Sequence, residues 1–393
     1  LAFSALAFGS ASIFTQGLMI IYAIIVANWL GAENYGFIAA AYAATSLSSF
    51  LFNWGFNQYL MKIGSTHPKP QVLGGQIIMI KGFLGVLWGV LILSILPLIR
   101  PDIYQLNILL LVIIEIWIDS LFGSLIALLL LQNRSKAASQ LLVFSRLARL
   151  LLLLLLIILG SKSIVLVLFL RLLTTLISFI ITWLISKPAL LGFNWHWVRN
   201  LFKQSSAYNL GELLSIIFVN LDVNLLVWLG AKSATIANYS IVISLITAVI
   251  TLPSGIFNVF LPSLVRAYDE KPSNFRQRIR IVYVVFIILA VIFWVSATYL
   301  NGPLINTLLG PSYTESIALL SQLSPVLVLR TINQANIAYL LSVDWQSKRL
   351  LPQLLALLTK AGIGFFAVLK FQVQGMITIA IISELILLAL YTI

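Results

Sequence analysis

Eleven ionisable side chains fall within long apolar segments of this sequence, where a charge is costly unless it is paired or hydrated. The six bases are Lys81, Arg146, Arg149, Arg171, Arg330 and Lys360. The five acids are Glu115, Asp119, Glu212, Asp222 and Glu384. Bases in such a setting suit anion recognition, and acids there can exchange a proton or a small cation. Most of these groups must line a hydrated cavity or pair with one another.

One apolar segment carries a continuous polar stripe. Its members are Arg171, Thr174, Thr175, Ser178 and Thr182, which fall within about 100° of one another on a helix with 3.6 residues per turn. Two interpretations are open. The stripe is either the wall of a cavity in which Arg171 contacts an anion, or a polar seam satisfied by neighbouring helices.

The other charges allow similar alternatives. Glu115 and Asp119 are one helical turn apart, and Arg146 and Arg149 share a face of the next segment, so a structural salt-bridge cluster between the two segments is also open. We expect both acids to pair with arginines. Lys81 lies near a segment end, and we expect it to snorkel to the membrane surface.

The elements that position these residues are transmembrane helices. Hydrophobic residues make up 61% of the chain and charged residues 9%, far from the composition of a soluble domain. The sequence predicts an all-α, polytopic membrane protein of about twelve spans. The spans are expected near residues 4–28, 36–61, 75–99, 103–131, 139–160, 163–186, 206–230, 235–261, 278–300, 314–342, 350–370 and 374–393. Pro253 and Pro325 fall within spans and predict kinks or broken helices.

Loop charge predicts the orientation. The even-numbered connections hold fourteen bases: Lys62, Lys69, Arg134, Lys136, Lys187, Arg199, Lys203, Arg266, Lys271, Arg276, Arg278, Arg280, Lys348 and Arg349. The odd-numbered connections hold four: Arg100, Lys162, Lys232 and Lys370. Because cytoplasmic loops retain positive charge, both termini should be cytoplasmic. This scattered charge accounts for most of the net +13, so the basic composition does not indicate nucleic-acid binding.

An internal repeat divides the chain. The motif Trp-Leu-Gly-Ala at 29–32 recurs at 228–231, and two further pairs keep nearly the same topological positions: Phe-Asn at 56–57 and 257–258, and Ser-Lys at 135–136 and 347–348. Six helices per repeat preserve the direction of insertion, which predicts two six-helix lobes related by a pseudo-two-fold axis along the membrane normal. We expect the lobes at 1–192 and 206–393, joined by an interfacial amphipathic linker at 193–205.

The lobes differ in intramembrane charge. The first holds four of the bases and two of the acids, whereas the second holds two bases and three acids, so an anion should favour the first. On the seventh span, Asp222 points about 160° away from Asn220 and Asn224, which suggests that it faces its own lobe's interior. We expect Glu212 or Asp222 to be the acid that exchanges a proton or sodium ion.

Several chemistries are excluded or disfavoured. The chain has no cysteine, which excludes disulfides and cysteine-ligated metals. His67 and His196 lie far apart in polar connections, so no metal or cofactor is expected. The connections are too short to hold a soluble catalytic domain, so any function must reside in the helix bundle or its short loops.

The first two spans resemble a known family. The stretches Ile24–Gly36 and Gly55–Leu60 look like the opening of bacterial polysaccharide-repeat-unit flippases of the multidrug/oligosaccharidyl-lipid/polysaccharide exporter superfamily. The resemblance continues through Asp222, Leu229–Tyr239, Pro253–Pro262 and Gly310–Tyr313, and so covers essentially the whole chain.

The resemblance implies transport without chemical change, so no enzyme activity is expected. The substrate would be an undecaprenyl-diphosphate-linked oligosaccharide, such as an O-antigen unit, moved from the cytoplasmic to the outer leaflet of a bacterial-type inner membrane by alternating access. A proton or sodium gradient would drive it, with membrane lipids, a polymerase and glycosyltransferases as partners. Candidates for contact with the anionic head group are Arg146, Arg149, Arg171, Arg330 and Lys360.

Three other functions remain as alternatives. One is a flippase of lipid-linked peptidoglycan precursors, although that family usually has two more helices. A drug or cation antiporter of the same superfamily would favour acidic and aromatic cavity walls over a cationic first lobe. A membrane glycosyltransferase or polymerase would need sizeable outer loops with paired acids, but Glu33, Asp102 and Glu315 stand alone.

Overall fold

The apolar segments form helices. The computed structural model describes residues 2–64, 69–190, 195–270, 272–343 and 345–392. No β-strand occurs within these ranges. The chain divides into two compact units. The first unit comprises Leu1–Leu30 and Phe37–Asn220, and the second comprises Gly31–Gly36 and Leu221–Ile393.

Fourteen α-helices are described. The first seven are α1 (Ala2–Ser48), α2 (Phe50–Asn53), α3 (Phe56–Gly64), α4 (Pro70–Ile99), α5 (Leu106–Leu131), α6 (Ser135–Ile158) and α7 (Ile164–Ser186). The others are α8 (Trp195–Trp228), α9 (Ser233–Glu270), α10 (Pro272–Tyr299), α11 (Asn301–Leu308), α12 (Thr314–Gln322), α13 (Ser324–Ser342) and α14 (Leu350–Tyr391). Short 3-10 helices at Pro311–Tyr313 and Gln346–Arg349 complete the described part of the chain.

Twelve membrane crossings can be counted among these helices. Eight described segments are long and apolar enough to span a bilayer, and two of them, Ser10–Asn53 and Leu350–Tyr391, have double length. The backbone leaves the helical conformation inside both, at Gly31 and at Gln372. The bent pair Pro311–Gln322 and Ser324–Ser342, together with the shorter apolar helix Leu213–Trp228, brings the count to the predicted twelve.

The repeated Trp-Leu-Gly-Ala motif has the same backbone signature at both sites. Gly31 has φ 79° and Gly230 has φ 95°, in the region that side chains other than glycine rarely adopt. Each glycine lies where one apolar helix ends and the chain turns into the next. The motif is therefore a turn between consecutive spans, which explains why glycine stands at its third position.

The prolines within spans have different effects. Pro325 lies in the first turn of α13, directly after a bend of 51° from α12, which confirms the predicted break. At Pro253 the helix is not broken, since α9 continues through this residue as one helix, and the predicted kink there stays a prediction. A membrane helix tolerates proline because neighbouring groups can satisfy the freed carbonyl.

The second span has a break that the sequence analysis did not predict. Trp54 and Gly55 have φ values of 42° and 66°, and they separate α2 from α3. From Trp195 onward, the predicted linker region and the seventh span form a single helix, α8. Its Val198 and Leu201 pack into the same apolar cluster as Leu60 of α3. The predicted lobe limits remain predictions.

Each unit has one helix at the centre of its charged residues. In the first unit, α5 packs against α4, α6 and α7. In the second, α13 packs against α9, α10 and α14. Most of the intramembrane charges lie on these central helices or on helices that contact them.

Candidate functional site

A buried arginine joins the two acids of α5. Arg149 of α6 places its Nη2 atom 3.1 Å from Glu115 Oε1 and 3.0 Å from Asp119 Oδ1. The Arg149 and Glu115 side chains are only 1% and 2% exposed. The expected pairing of both acids with arginines is confirmed, and Arg149 acts as the fixed centre of this group.

Two further arginines lie at the partly exposed edges of the same group. Arg171 of α7 places Nε 3.1 Å from Glu115 Oε1, and its guanidinium carbon is 4.3 Å from the ring centroid of Tyr42. Tyr42 also donates a 2.7 Å hydrogen bond to Glu115. On the other side, Arg146 places Nη1 3.2 Å from Asp119 Oδ1. The Arg171 and Arg146 side chains are 17% and 16% exposed.

We call these five ionised residues, Glu115, Asp119, Arg146, Arg149 and Arg171, the arginine cluster. Three guanidinium groups face two carboxylates, which leaves one positive charge in excess. Each guanidinium has five N–H donors, and the cluster's two partly exposed arginines use only some of them on its acids. An anion can therefore bind at the exposed edge without displacing the ion pairs that hold the cluster together.

The hydroxyl residues of the α7 stripe are buried in the first unit. Thr174, Thr175, Ser178 and Thr182 are at most 3% exposed, on a helix that packs against α5. Their hydroxyls donate to backbone carbonyls of the preceding turn, and Thr175 also accepts from Arg149 Nη2 at 2.6 Å. The interpretation of the stripe as an open cavity wall is therefore wrong for these four residues, which form a helix–helix seam.

The second unit contains a buried ion pair between the seventh span of the chain and α14. Asp222 Oδ1 of α8 is 2.5 Å from Lys360 Nζ of α14, and each side chain is 1% exposed. Tyr239 of α9 donates a 3.1 Å hydrogen bond to the other Asp222 oxygen. The prediction that Asp222 faces the interior of its own half is confirmed.

A second ion pair lies between α13 and α14. Arg330 Nε is 2.6 Å from Glu384 Oε1, and Asn333 donates a 3.1 Å hydrogen bond to Glu384 Oε2. The Arg330 side chain is 14% exposed. These two pairs balance their charges one to one. Glu212 lies on α8, but its side chain is outside the part that the structure describes.

Lys81 lies in the protein interior and not at the membrane surface, where the sequence predicts it. Its side chain is fully buried, so the snorkelling prediction is wrong. Its ammonium donates 2.9 Å hydrogen bonds to the carbonyl of Ser120 and the hydroxyl of Ser124, both on α5. Asn57, which follows the unpredicted break at Gly55, accepts a 2.7 Å bond from Ser124. The repeat landmark containing Asn57 was the available signal for this network.

The described residues offer no metal site, since no three acidic or histidine side chains come together among them.

Comparison with known proteins assigns the family. A family model described as polysaccharide biosynthesis protein matches residues 3–268, which is more than half of the chain. The chain belongs to this family. The resemblance stated from the sequence is confirmed.

Several solved structures share the fold of this chain. The lipid II flippase MurJ, in an inward closed conformation, matches with a TM-score of 0.79 and 14% identity, over 98% of this chain and 86% of MurJ. An inward-facing multidrug resistance MATE family transporter of the MOP superfamily matches with a TM-score of 0.71 and 14% identity, over 96% and 92%.

A MOP superfamily transporter from Pyrococcus furiosus, described as having a binding pocket of reverse polarity, matches with a TM-score of 0.60 and 14% identity, over 99% and 94% of the two chains. No curated protein sequence matches significantly. The TM-scores establish a shared fold despite the low sequence identities. The predicted all-α membrane architecture of about twelve helices in two lobes is confirmed.

Proposed function

We propose that this protein moves an undecaprenyl-diphosphate-linked oligosaccharide repeat unit from the cytoplasmic to the outer leaflet by alternating access. Membership of the polysaccharide biosynthesis family and the fold of MOP superfamily transporters support a membrane flippase or transporter. In this role the substrate is translocated without chemical change, so the protein is not an enzyme.

The arginine cluster carries the proposal. Its three arginines exceed its two acids, and Arg146 and Arg171 keep part of their side chains exposed. Lipid cannot solvate these exposed guanidinium edges, whereas the diphosphate of a lipid-linked sugar supplies several strong acceptor oxygens. Arg330 is a further contact in the second unit, since 14% of its side chain is exposed. Arg149 and Lys360 contact the head group only when their buried ion pairs separate.

The proposed role also implies the membrane, the orientation, the partner enzymes and the driving gradient. The substrate is made on the cytoplasmic side of a bacterial-type inner membrane, and we place both termini on that side. Glycosyltransferases supply the lipid-linked unit and a polymerase consumes it, as in O-antigen synthesis. A proton or sodium gradient drives the cycle, with Glu212 or Asp222 as the ion carrier.

A drug or cation antiporter is the second candidate, because MATE transporters share the fold. A cationic substrate needs acidic groups in excess. In the described part of the second unit, Asp222 and Glu384 are each paired with a base, and the excess charge of the arginine cluster is positive. The charge balance therefore favours the anionic substrate.

Arg171→Gln tests the proposal. Glu115 keeps Arg149 and Tyr42 as partners after this change, so the fold should tolerate it. We expect normal protein levels but transport of a labelled polyprenyl-diphosphate oligosaccharide reduced at least about tenfold in proteoliposomes, since a hydrogen bond to a charged group is lost. Lys232→Gln, which removes an exposed base from a connection, is the matched control and should transport normally.

Competition separates the two candidate functions. A short-chain polyprenyl diphosphate should inhibit wild-type transport, whereas a cationic dye should not. Normal transport by the Arg171→Gln variant, or a variant that merely fails to accumulate, would show that the cluster is structural. Gradient-driven export of the dye would support the antiporter instead.

A further inference from the structure

A cavity of about 350 Å³ lies at one end of the first unit, away from the arginine cluster. Its lining comes from the start of α4 and the ends of α5 and α7: Pro70, Gln71, Gln132, Arg134, Ile185, Ser186 and Lys187. The volume falls within the range of small-molecule sites. All three helix ends adjoin even-numbered connections, the ones whose basic charge predicts a cytoplasmic location.

Two cations line this cavity. Arg134 donates a 3.0 Å hydrogen bond to the carbonyl of Ile185, which fixes its guanidinium at the cavity while leaving other donors for a ligand. Lys187 is exposed, and no side-chain partner for its ammonium occurs among the described residues. The cavity therefore presents one anchored and one adaptable positive group.

No described acid neutralises these charges at close range. α4, α6 and α7 contain no acidic residue, and the acids of α5 are Glu115 and Asp119. Asp119 is twelve residues before the end of α5 at Leu131, a distance of about 18 Å along the helix. Asp102 precedes the opposite end of α5. The positive potential at the cavity is therefore available to an anion.

A buried hydroxyl without a partner points to the same ligand. Ser186 is 2% exposed and lines the cavity, yet its Oγ has no hydrogen-bond partner in the described part of the chain. Thr182 and Ser178, earlier on α7, donate to carbonyls one turn back, but Ser186 does not. Buried hydroxyls are normally hydrogen-bonded, so an acceptor oxygen in the cavity would satisfy this group.

We infer that this cavity binds the phosphate of an anionic phospholipid head group from the cytoplasmic leaflet. Arg134 and Lys187 supply the charge, and Ser186 donates a hydrogen bond to a phosphate oxygen. A lipid is favoured over a soluble anion because the cavity lies at the ends of membrane helices, where basic pockets meet anionic head groups. The site is separate from the arginine cluster and does not depend on the proposed substrate.

Native mass spectrometry of the delipidated, full-length protein tests this site. Phosphatidylglycerol and phosphatidylcholine with identical acyl chains are titrated separately, and the preference of the first bound lipid is measured. We expect a clear preference for phosphatidylglycerol in the wild type, weakened about tenfold by Arg134→Gln with Lys187→Gln. Ser186→Ala, which removes one oxygen atom, should weaken it about threefold and keeps the test valid if the double variant folds poorly.

Lys136→Gln is the matched control, because it removes a base from the same connection outside the cavity lining, and it should leave the preference unchanged. Equal preference in the wild type and in both cavity variants would overturn the site, as would an equal loss in the control. Displacement of the lipid by equimolar inorganic phosphate would overturn the head-group assignment in favour of a soluble anion. Stronger displacement by a short polyprenyl diphosphate would overturn it in favour of the transported substrate.

Discussion

Asp222 and Lys360 form an ion pair in the interior of the second unit, with 2.5 Å between Oδ1 and Nζ and both side chains 1% exposed. Two charges at such a depth have lost their hydration, and each now depends on the other for compensation. Tyr239 completes the site by donating a hydrogen bond to the carboxylate. The pair joins the C-terminal part of α8 to α14.

The mutual dependence of this pair predicts non-additive effects on stability. Lys360→Met leaves a buried carboxylate without its closest base and should destabilise the protein by about 3 to 5 kcal/mol. Adding Asp222→Asn removes the stranded charge and should recover most of that loss. The measurement is the melting temperature of the purified protein in detergent. A double variant as unstable as Lys360→Met would show that Lys360 acts mainly through other contacts.

The two units use ion pairs of opposite polarity at corresponding spans. Glu115 on the fourth span pairs with Arg171 on the sixth, whereas Arg330 on the tenth span pairs with Glu384 on the twelfth. In each unit the pair ties the fourth helix of the half to its sixth. The attraction between the charges is unchanged when acid and base exchange helices.

This relationship predicts that the Arg330 and Glu384 charges can be exchanged. Arg330→Glu alone places two carboxylates together and should sharply lower the amount of folded protein in membranes. Combining it with Glu384→Arg should restore part of that amount, although Asn333 would lose its acceptor. Quantitative size-exclusion chromatography measures the recovery. A double variant no better than the single one would mean that the surroundings of this pair require its present polarity.

Helical periodicity predicted the contacts that depend on direction along one helix. The angle between Asp222 and its neighbouring asparagines placed this acid inside its own half, where it meets Lys360. The one-turn spacing of Glu115 and Asp119 likewise predicted that both acids pair with arginines, and Arg149 contacts both. Such spacing fixes the direction in which a side chain points from its helix. The opposite charges on neighbouring helices then determine its ion-pair partner.

Periodicity could not predict contacts that depend on which helices are neighbours. For Lys81, the short distance from a helix end predicts snorkelling, but Ser120 and Ser124 of α5 accept hydrogen bonds from its ammonium inside the unit. The sequence does not predict the break at Trp54 and Gly55, which precedes Asn57, because a single glycine in an apolar run is a weak signal. Choosing between a seam and a cavity wall for the α7 stripe similarly required the position of α5.

The orientation of the helices can be tested directly because the chain contains no cysteine. Single cysteines at Lys69, Arg199 and Arg276, all exposed, should resist a membrane-impermeant thiol reagent in intact cells. Cysteines at Lys162 and Lys232, exposed in odd-numbered connections, should react readily and serve as controls. Labelling of the first three, measured by a mass shift on gels, would overturn the cytoplasmic assignment of both termini.

The last prediction concerns coupling to an ion gradient. A gradient can bias a conformational equilibrium only if the ion binds the inward-open and outward-open states with different affinity. Glu115 and Asp119 are held between arginines, which favours one constant charge state. Asp222 has a single lysine and a tyrosine as its described partners, so separation of one ion pair would free it to bind a proton or sodium ion. Glu212 lies earlier on the same helix.

We therefore expect Asp222→Asn or Glu212→Gln to make transport independent of an imposed proton or sodium gradient. Because Asp222→Asn leaves the buried Lys360 ammonium without its carboxylate, substrate binding by this variant is measured at a temperature low enough for it to stay folded. Proteoliposomes with and without each gradient provide the measurement, and retained substrate binding shows that the variant is folded. Tyr239→Phe is the matched control, since it removes a hydrogen bond to Asp222 but keeps the carboxyl group, and it should remain gradient-dependent. Unchanged gradient dependence in both acid variants would eliminate these residues as the ion carrier, whereas loss in only one would identify it.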